Sequence, residues 1–430
     1  MKEKGKLTSG ITLIALVVTI VVLLILTGIT ISLVFSDNGI IEKAREAANK
    51  TNQAVINEQV QMNELSDYME NMLNEIGREN NQEETTGPNG KPLVETLTEI
   101  QINNNVEAED KYGNQITVPK GFKVVISEAT TVPEGIVIED ANENQFVWIP
   151  VGTVHKDNNP ANDVTIQLGR YTFDTTTGEP IEPLQYAYTT ESATNYTNEV
   201  LIDTFYKELD ESREGIVDDS NHLNNLNATA KNLAGFIESV KANDGYYVAR
   251  FEASYGSGNS IEDWMPLSKV STGTPRGDDE GNNSLMQGRL WNWVTQIEAS
   301  KISKNMYKNN NSVGVESDLV NSYAWDTAII FIQEMGNTNY ANEDRDETGN
   351  SSLMNTGTTG DKVCNIFDMA ANLVEWTTEY STYIFNNTLY NCTHRGGVYT
   401  ASVHSTAGRS WDHVLNANQE IGFRVLLYIK

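Results

Sequence analysis

The stretch between Val398 and Gln419 gathers Tyr399, Ser402, His404, Ser405, Trp411, Asp412, His413 and Asn416. Aromatic rings mixed with hydroxyls and imidazoles are what adaptable binding surfaces use. The rings give contact area at low conformational cost, and the small polar groups give adjustable hydrogen bonds. Of these, Tyr399, Ser402, His404, Ser405, Trp411 and His413 are the six expected ligand contacts. His404 and His413 together could hold a metal, but two histidines in a polar loop are expected simply to be exposed. The five histidines, His155, His222, His394, His404 and His413, are scattered, and no H-E-x-x-H or C-x-x-C spacing appears. There is therefore no case for zinc. Arg276-Gly277-Asp278 is a three-residue match too short to carry a function.

What must hold such a surface is set at the other end of the chain. Ile11 to Phe35 reads ITLIALVVTIVVLLILTGITISLVF, without a charge. At about 1.5 Å rise per residue it is long enough to cross a hydrocarbon core of roughly 30 Å. Lys2, Lys4 and Lys6 precede it and Asp37 follows. The positive-inside rule then puts the N-terminus in the cytoplasm and the rest outside. A formal charge of −29 over 430 residues repels phosphate backbones, so nucleic acid is not an expected partner. In an external domain the two cysteines, Cys364 and Cys392, are expected to form one disulfide.

Beyond the apolar run, Ala48, Val55, Met62, Met69 and Ile76 recur with a heptad period and predict a helical stalk. Asn80 to Lys91 is polar with Gly and Pro, a linker. The globular part begins near Pro92. Gly135–Glu139 and Gln145–Val151 predict a hairpin, Tyr246–Ala253 a strand, and Ala228–Lys241 a weak helix. Thr295 is a helix cap with Ala299, Ile302 and Met306 on one face, and a second helix runs over Ala324–Met335. Asn337–Asp361 is a long polar loop, of the kind that is functional or anchored. No internal repeat is expected.

Two resemblances sharpen this reading. The basic leader, Gly10 and an apolar helix opening Ile11-Thr12-Leu13-Ile14 resemble type IV prepilins and pseudopilins. The resemblance implies cleavage between Gly10 and Ile11, and pilin or pseudopilin subunits as partners. Ala15 stands where that family usually has Glu, which argues against a major filament subunit. FVWIPVG (146–152), YYVARFEAS (246–254), SYAWDTA (322–328), NIFDMAANLVEW (365–376), HRGGVY (394–399) and IGFRVLLY (421–428) resemble, in order, the marks of the formylglycine-generating-enzyme-like domain, a branch of the C-type lectin fold. That implies buried Arg395 and Arg424, core Trp376 and Phe423, and a calcium ion on Asn372 and Glu375. The enzymes of that family bind copper through two cysteines beyond the R-G-G turn. Those places fall near Ala401 and Thr406 here, so no copper and no oxygenase chemistry are expected.

The expected fold class is α+β, a long pilin-type helix followed by a C-type lectin-like domain with long loops. The expected divisions are a leader over 1–10, a transmembrane helix over 11–35, a stalk over 36–79, a linker over 80–92, a β-rich lead-in over 93–145 and the lectin-type domain over 146–430. The function expected is a non-catalytic cell-surface protein that binds an external protein or glycan. Residues 398–419 resemble the diversified binding face of some C-type lectin proteins. A metal-dependent oxidoreductase and a minor pseudopilin are the other readings.

Overall fold

The computed structural model describes residues 20–22, 85–181, 184–187, 206–207, 233–276, 286–413 and 416–430. The chain divides into two compact units, Met1–Gln82 and Glu83–Lys430. In the first, residues 20–22 are helical. The leader, the Gly10–Ile11 junction, the stalk and the rest of the membrane run lie outside the described residues. Among the described residues no helix is long and apolar enough to cross a membrane.

The second unit is a mixed α+β domain organised on two principal sheets, whose strands we number along the chain. They are β1 (Phe122–Val124), β2 (Val137–Asp140), β3 (Gln145–Pro150), β4 (Tyr206–Lys207), β5 (Gly245–Ala249), β6 (Val315–Leu319), β7 (Val374–Phe385), β8 (Thr388–Arg395), β9 (Arg409–Asp412), β10 (Ile421–Phe423) and β11 (Val425–Ile429). The larger sheet is six-stranded and antiparallel in the order β6-β11-β5-β3-β2-β1. Its central strands are buried, and Trp148 meets Tyr247 across β3 and β5 with ring centroids 4.9 Å apart. The second sheet runs β4-β7-β8-β9, with β10 added parallel to β7.

Three helices support the sheets. In α1 (Leu233–Asn243), Leu233, Phe236, Ile237 and Val240 form one buried face. Phe236 packs edge-on against Tyr246 and Tyr428 of the larger sheet. Helix α2 (Gln296–Asn305) starts at the predicted cap, Thr295, which makes a full capping box with Glu298. In α3 (Ser322–Glu334), capped by Asn321, every residue from Ser322 to Gln333 is buried. This helix is core rather than surface, so its polar Asp326 and Thr327 must find partners indoors.

The predicted hairpin is present as β2 and β3, in register Val137↔Val147. The boundaries differ from those expected. From residue 85 onward the presumed linker is docked: the amides of Asn89 and Lys91 donate to Glu109 Oε1 at 2.8 and 3.1 Å. The lead-in over 93–145 supplies β1 and β2 to the same sheet as the remainder, so 146 falls inside a sheet.

A short repeat, not expected from the sequence, is also present. Glu-Asp-x-x-x-Asn-Gln occurs at 109–115 and 139–145 and builds the same turn twice. Asp110 Oδ1 accepts from the amides of Tyr112 and Asn114, and Oδ2 from the Asn114 side chain. Asp140 does the same with Asn142 and Asn144. The left-handed position is Gly113 in one turn and Glu143 in the other. The two copies differ at the intervening positions, which hides the repeat in a plain reading.

The expected disulfide is not formed. Cys364 sits in a tight turn at φ 45°, with its sulfur 3.9 Å from Pro133 O, and burial pushes its thiol up to about 12. Cys392 is buried in the middle of β8, opposite Tyr380 on one side and Asp412 on the other, and its thiol reaches Asn391 Oδ1. Strand pairing holds the two in separate environments. Alkylation of the denatured, unreduced chain should therefore label both thiols; labelling that needs prior reduction would contradict this.

Candidate functional site

The site is assembled by strand pairing. In an antiparallel pair, residues directly opposite share a face. His394 lies opposite Ser410 and Cys392 opposite Asp412, which sets Ser410 and Asp412 beside His394. The next pair, Arg395 and Arg409, belongs to a buried charge network.

A pocket of about 370 Å³ opens over this corner, lined by His394, His404, Arg409, Ser410, Trp411, Asp412, Asn418 and Glu420 with Val374, Val398 and Ile421. His394 is 8 % exposed, and its Nδ1 has no hydrogen-bond partner. Its Nε2 faces Asp412 Oδ2 at 3.9 Å. Burial, then the neighbouring His404, pull the His394 imidazole down to about 3. Burial likewise lowers His404, whose Nδ1 lies 3.4 Å from Ser410 Oγ. Both rings are thus neutral near pH 7 and present lone pairs. Asp412 is raised by burial, and accepts from the His413 amide and the Asn416 side chain.

The rim is aromatic. Trp411 is 37 % exposed and stacks on Tyr383 with centroids 4.0 Å apart at 22°. Tyr390 packs against it at 4.9 Å. A large exposed ring fixed by two neighbours is a preorganised contact surface, since little side-chain entropy remains to be lost on binding.

Of the six predicted contacts, His404 and Trp411 line this pocket. Tyr399 is tied down instead: its amide donates to Asn372 O and its carbonyl accepts from Arg345 Nη1. Ser402 is exposed in the turn after Val398, and Ser405 is half-buried with its carbonyl accepting from the Gly408 amide. The His413 ring lies against Tyr390 at 6.4 Å. Asp412, noted in the same stretch, also lines the pocket, whereas its other polar residues, His394, Arg409, Ser410, Asn418 and Glu420, were not among those predicted. In H-R-G-G the arginine and glycines dominate a sequence reading, whereas His394 becomes visible once β8 is paired with β9.

Beneath the pocket lies the charge network. Arg395 Nη2 donates to Asp326 Oδ1 at 2.5 Å, and Arg409 Nη2 to Asp326 Oδ2. Arg170 Nη2 donates to Glu379 Oε1 at 2.5 Å, and Arg409 Nε to the same carboxylate at 3.1 Å. Burial alone would raise Glu379, but Arg409, Arg170 and Arg395 together hold it at about 2. Arg395 also donates to Gly408 O, which fixes the loop leading into β9.

The R-G-G turn closes against the 369–371 segment. Gly396 has φ +90°, and a Cβ on Gly397 would sit 1.8 Å from Ala370 O. Only the backbone fits there.

A second buried group centres on Arg424. Its Nε and Nη2 fork onto Glu375 at 3.1 and 2.6 Å, while Nη1 and Nη2 donate to Ala249 O and Phe367 O. Asn372, at φ 66°, donates to Glu252 Oε2 and Met354 O and accepts from the Met354 amide. The residues expected to hold calcium therefore fit an ion pair and a turn anchor rather than a cation site. Glu375 spends both oxygens on a guanidinium. Among the described residues no three His, Cys, Asp or Glu side chains gather to hold a metal. The long loop 337–361 is anchored from inside by carboxylates: Asp368 accepts from Thr356, Thr359 and the Gly357 amide, and Asp361 from Tyr340 and the Ala370 amide.

The fold and pocket define an α+β protein of largely antiparallel sheets with a polar, aromatic-rimmed pocket at a strand corner. No family model and no curated protein matches the chain. Among solved structures it is similar to PvdO from Pseudomonas aeruginosa, at TM-score 0.33 and 9% identity over 68% of this chain and 98% of that one. It is also similar to CarF, at TM-score 0.31 and 15% identity over 43% of this chain and 87% of that one. A third is Treponema denticola variable protein 1, at TM-score 0.26 and 13% identity over 43% and 96%. These are distant likenesses.

Proposed function

We propose that this chain is a cell-surface protein, held by residues 11–35, that presents a non-catalytic ligand-binding domain of the formylglycine-generating-enzyme-like, C-type lectin type outside the cell. The observation that carries this reading is the pocket between His394 and Trp411, with its fixed aromatic rim. The sequence supports the non-catalytic part: neither Ala401 nor Thr406 is a thiol, and the Thr406 hydroxyl is already bonded to Glu343 O. The ligand is an external protein or glycan, and pilin-like subunits are partners of the N-terminal segment.

The test is capture of ligands from a panel of glycans and bacterial and host surface proteins by cells displaying the full-length chain. Trp411→Ala should reduce capture roughly 30-fold or more, the size of a binding hot spot. The chain should stay folded with a moderately lower melting temperature, because Trp411 also packs on Tyr383 and Tyr390. Full capture by that variant would contradict the reading. So would thiol oxidation coupled to oxygen consumption by the purified chain.

A further inference from the structure

The composition of the pocket restricts what it can take. His394 is nine-tenths buried and its Nδ1 lacks a hydrogen-bond partner. With the proton on Nε2, which faces Asp412, Nδ1 is an acceptor pointing to no donor of the protein. Asp412 and Glu420 add two carboxylates, and His404 a second neutral ring. Asp412, Glu420 and His394 Nδ1 are acceptors, and a donating ligand suits them.

Charge narrows the choice further. Among the described lining residues Arg409 is the one cation, and its nitrogens are directed to Asp326, Glu379 and Tyr171 O. The ion pairs of Arg170, Arg395 and Arg409 run to Asp326 and Glu379. Asp412 and Glu420 line the pocket outside those pairs, Asp412 facing the His394 ring at 3.9 Å. A cation is the ligand charge that suits two such carboxylates. The rim ring offers a π-face or edge for the carbon stem of that cation.

Building on the ligand-binding reading, we propose that the pocket takes the alkylammonium group of a lysine side chain on a partner protein. The ammonium donates to Asp412 and Glu420, with His394 Nδ1 as a third acceptor, and the methylene stem lies along Trp411.

The experiment is titration calorimetry of the full-length chain in detergent micelles at low salt. The probes are Nα-acetyl-L-lysine amide, n-butylamine and Nα-acetyl-L-norleucine amide, which has the stem without the charge. Lysine amide should bind, and norleucine amide should bind at least ten-fold more weakly. Binding of butylamine as tight as lysine amide would assign the pocket to free amines and overturn the protein-borne source. Asp412→Asn should weaken lysine amide at least ten-fold. Glu420→Gln, at a half-exposed position, should weaken it in the same direction without altering the melting curve. Equal binding of norleucine amide, or unchanged binding in both variants, overturns the proposal. If no lysine probe binds yet a panel ligand still requires Trp411, the ammonium assignment fails and the ligand-binding function stands. If nothing requires Trp411, both fail.

Discussion

Glu379→Gln should lower the stability of the folded chain by about 3–5 kcal/mol, the cost of breaking a buried ion pair by removing one partner. Glutamine keeps the shape but removes the carboxylate charge that Arg170, Arg395 and Arg409 face, and leaves Asp326 as the carboxylate of Arg395 and Arg409. Against a total of about 5–15 kcal/mol for a typical domain, that loss is severe. A shifted denaturant midpoint at unchanged slope would report it. Adding Arg170→Met to Glu379→Gln should recover part of the loss, because it removes the surplus charge, and a double-mutant cycle reads this directly. The pH dependence has a definite sign. Glu379 sits at about 2 in the fold and near an ordinary glutamate value, about 4.3, when unfolded. Its contribution is thus fully present above about pH 4 and is lost as pH falls through about 2. The variant should lack that part of the acid transition. Equal stability of variant and parent at neutral pH would show that the network is not closed to water.

Arg424→Met should have a comparable cost with the opposite pH signature. Methionine matches the length of the arginine stem but leaves Glu375 buried near Glu252 and Asp368 without its guanidinium. It also removes the donors to Ala249 O and Phe367 O, which tie the β10–β11 junction to β5 and to the 366–367 strand. Burial already raises Glu252 well above the usual carboxylate range, and Asp361 to about 7. It also raises Glu375 against the pull of Arg424, and without that guanidinium Glu375 must take up a proton to remain buried. A folded-state value above the unfolded one means stability is present at low pH and lost as pH rises. The loss should therefore be about 3–5 kcal/mol at pH 8 and clearly smaller at pH 5, as read by chemical denaturation at the two values. A loss independent of pH would show that Glu375 finds another counter-charge.

The features legible in the sequence are those whose cause is local. The β2–β3 hairpin follows from two apolar runs around a polar turn, and the Thr295 cap from one residue and its Glu298 partner. Arg395 and Arg424 could be expected to be buried and forked, but not onto which carboxylates. Asp326 and Glu379 stand 69 and 209 residues from Arg395 and Arg170 respectively. Glu252 was legible as part of a strand segment, but its hold on Asn372 and the Leu373 amide crosses the whole domain. The same applies to the pocket. Trp411 and His404 stand out by type within a polar loop, while His394, Asp412 and Glu420 meet because β9 pairs with β8 and β10 adds parallel to β7. The disulfide expectation failed for a related reason. Redox compartment and residue count say nothing about strand pairing, which places Cys392 between Tyr380 and Asp412.

The most direct measurement of the central claim is hydroxyl-radical footprinting of the full-length chain with and without a ligand captured from the surface panel. Trp411 is exposed and should be oxidised in the free chain, whereas Trp148 and Trp376, fully buried, should not. Ligand should protect Trp411 and His404 and leave the exposed Val403 and the β7–β8 tip at Ile384 and Phe385 unchanged. Binding with Trp411 still fully oxidised, and protection confined to another face, would contradict the assignment of this pocket as the ligand site.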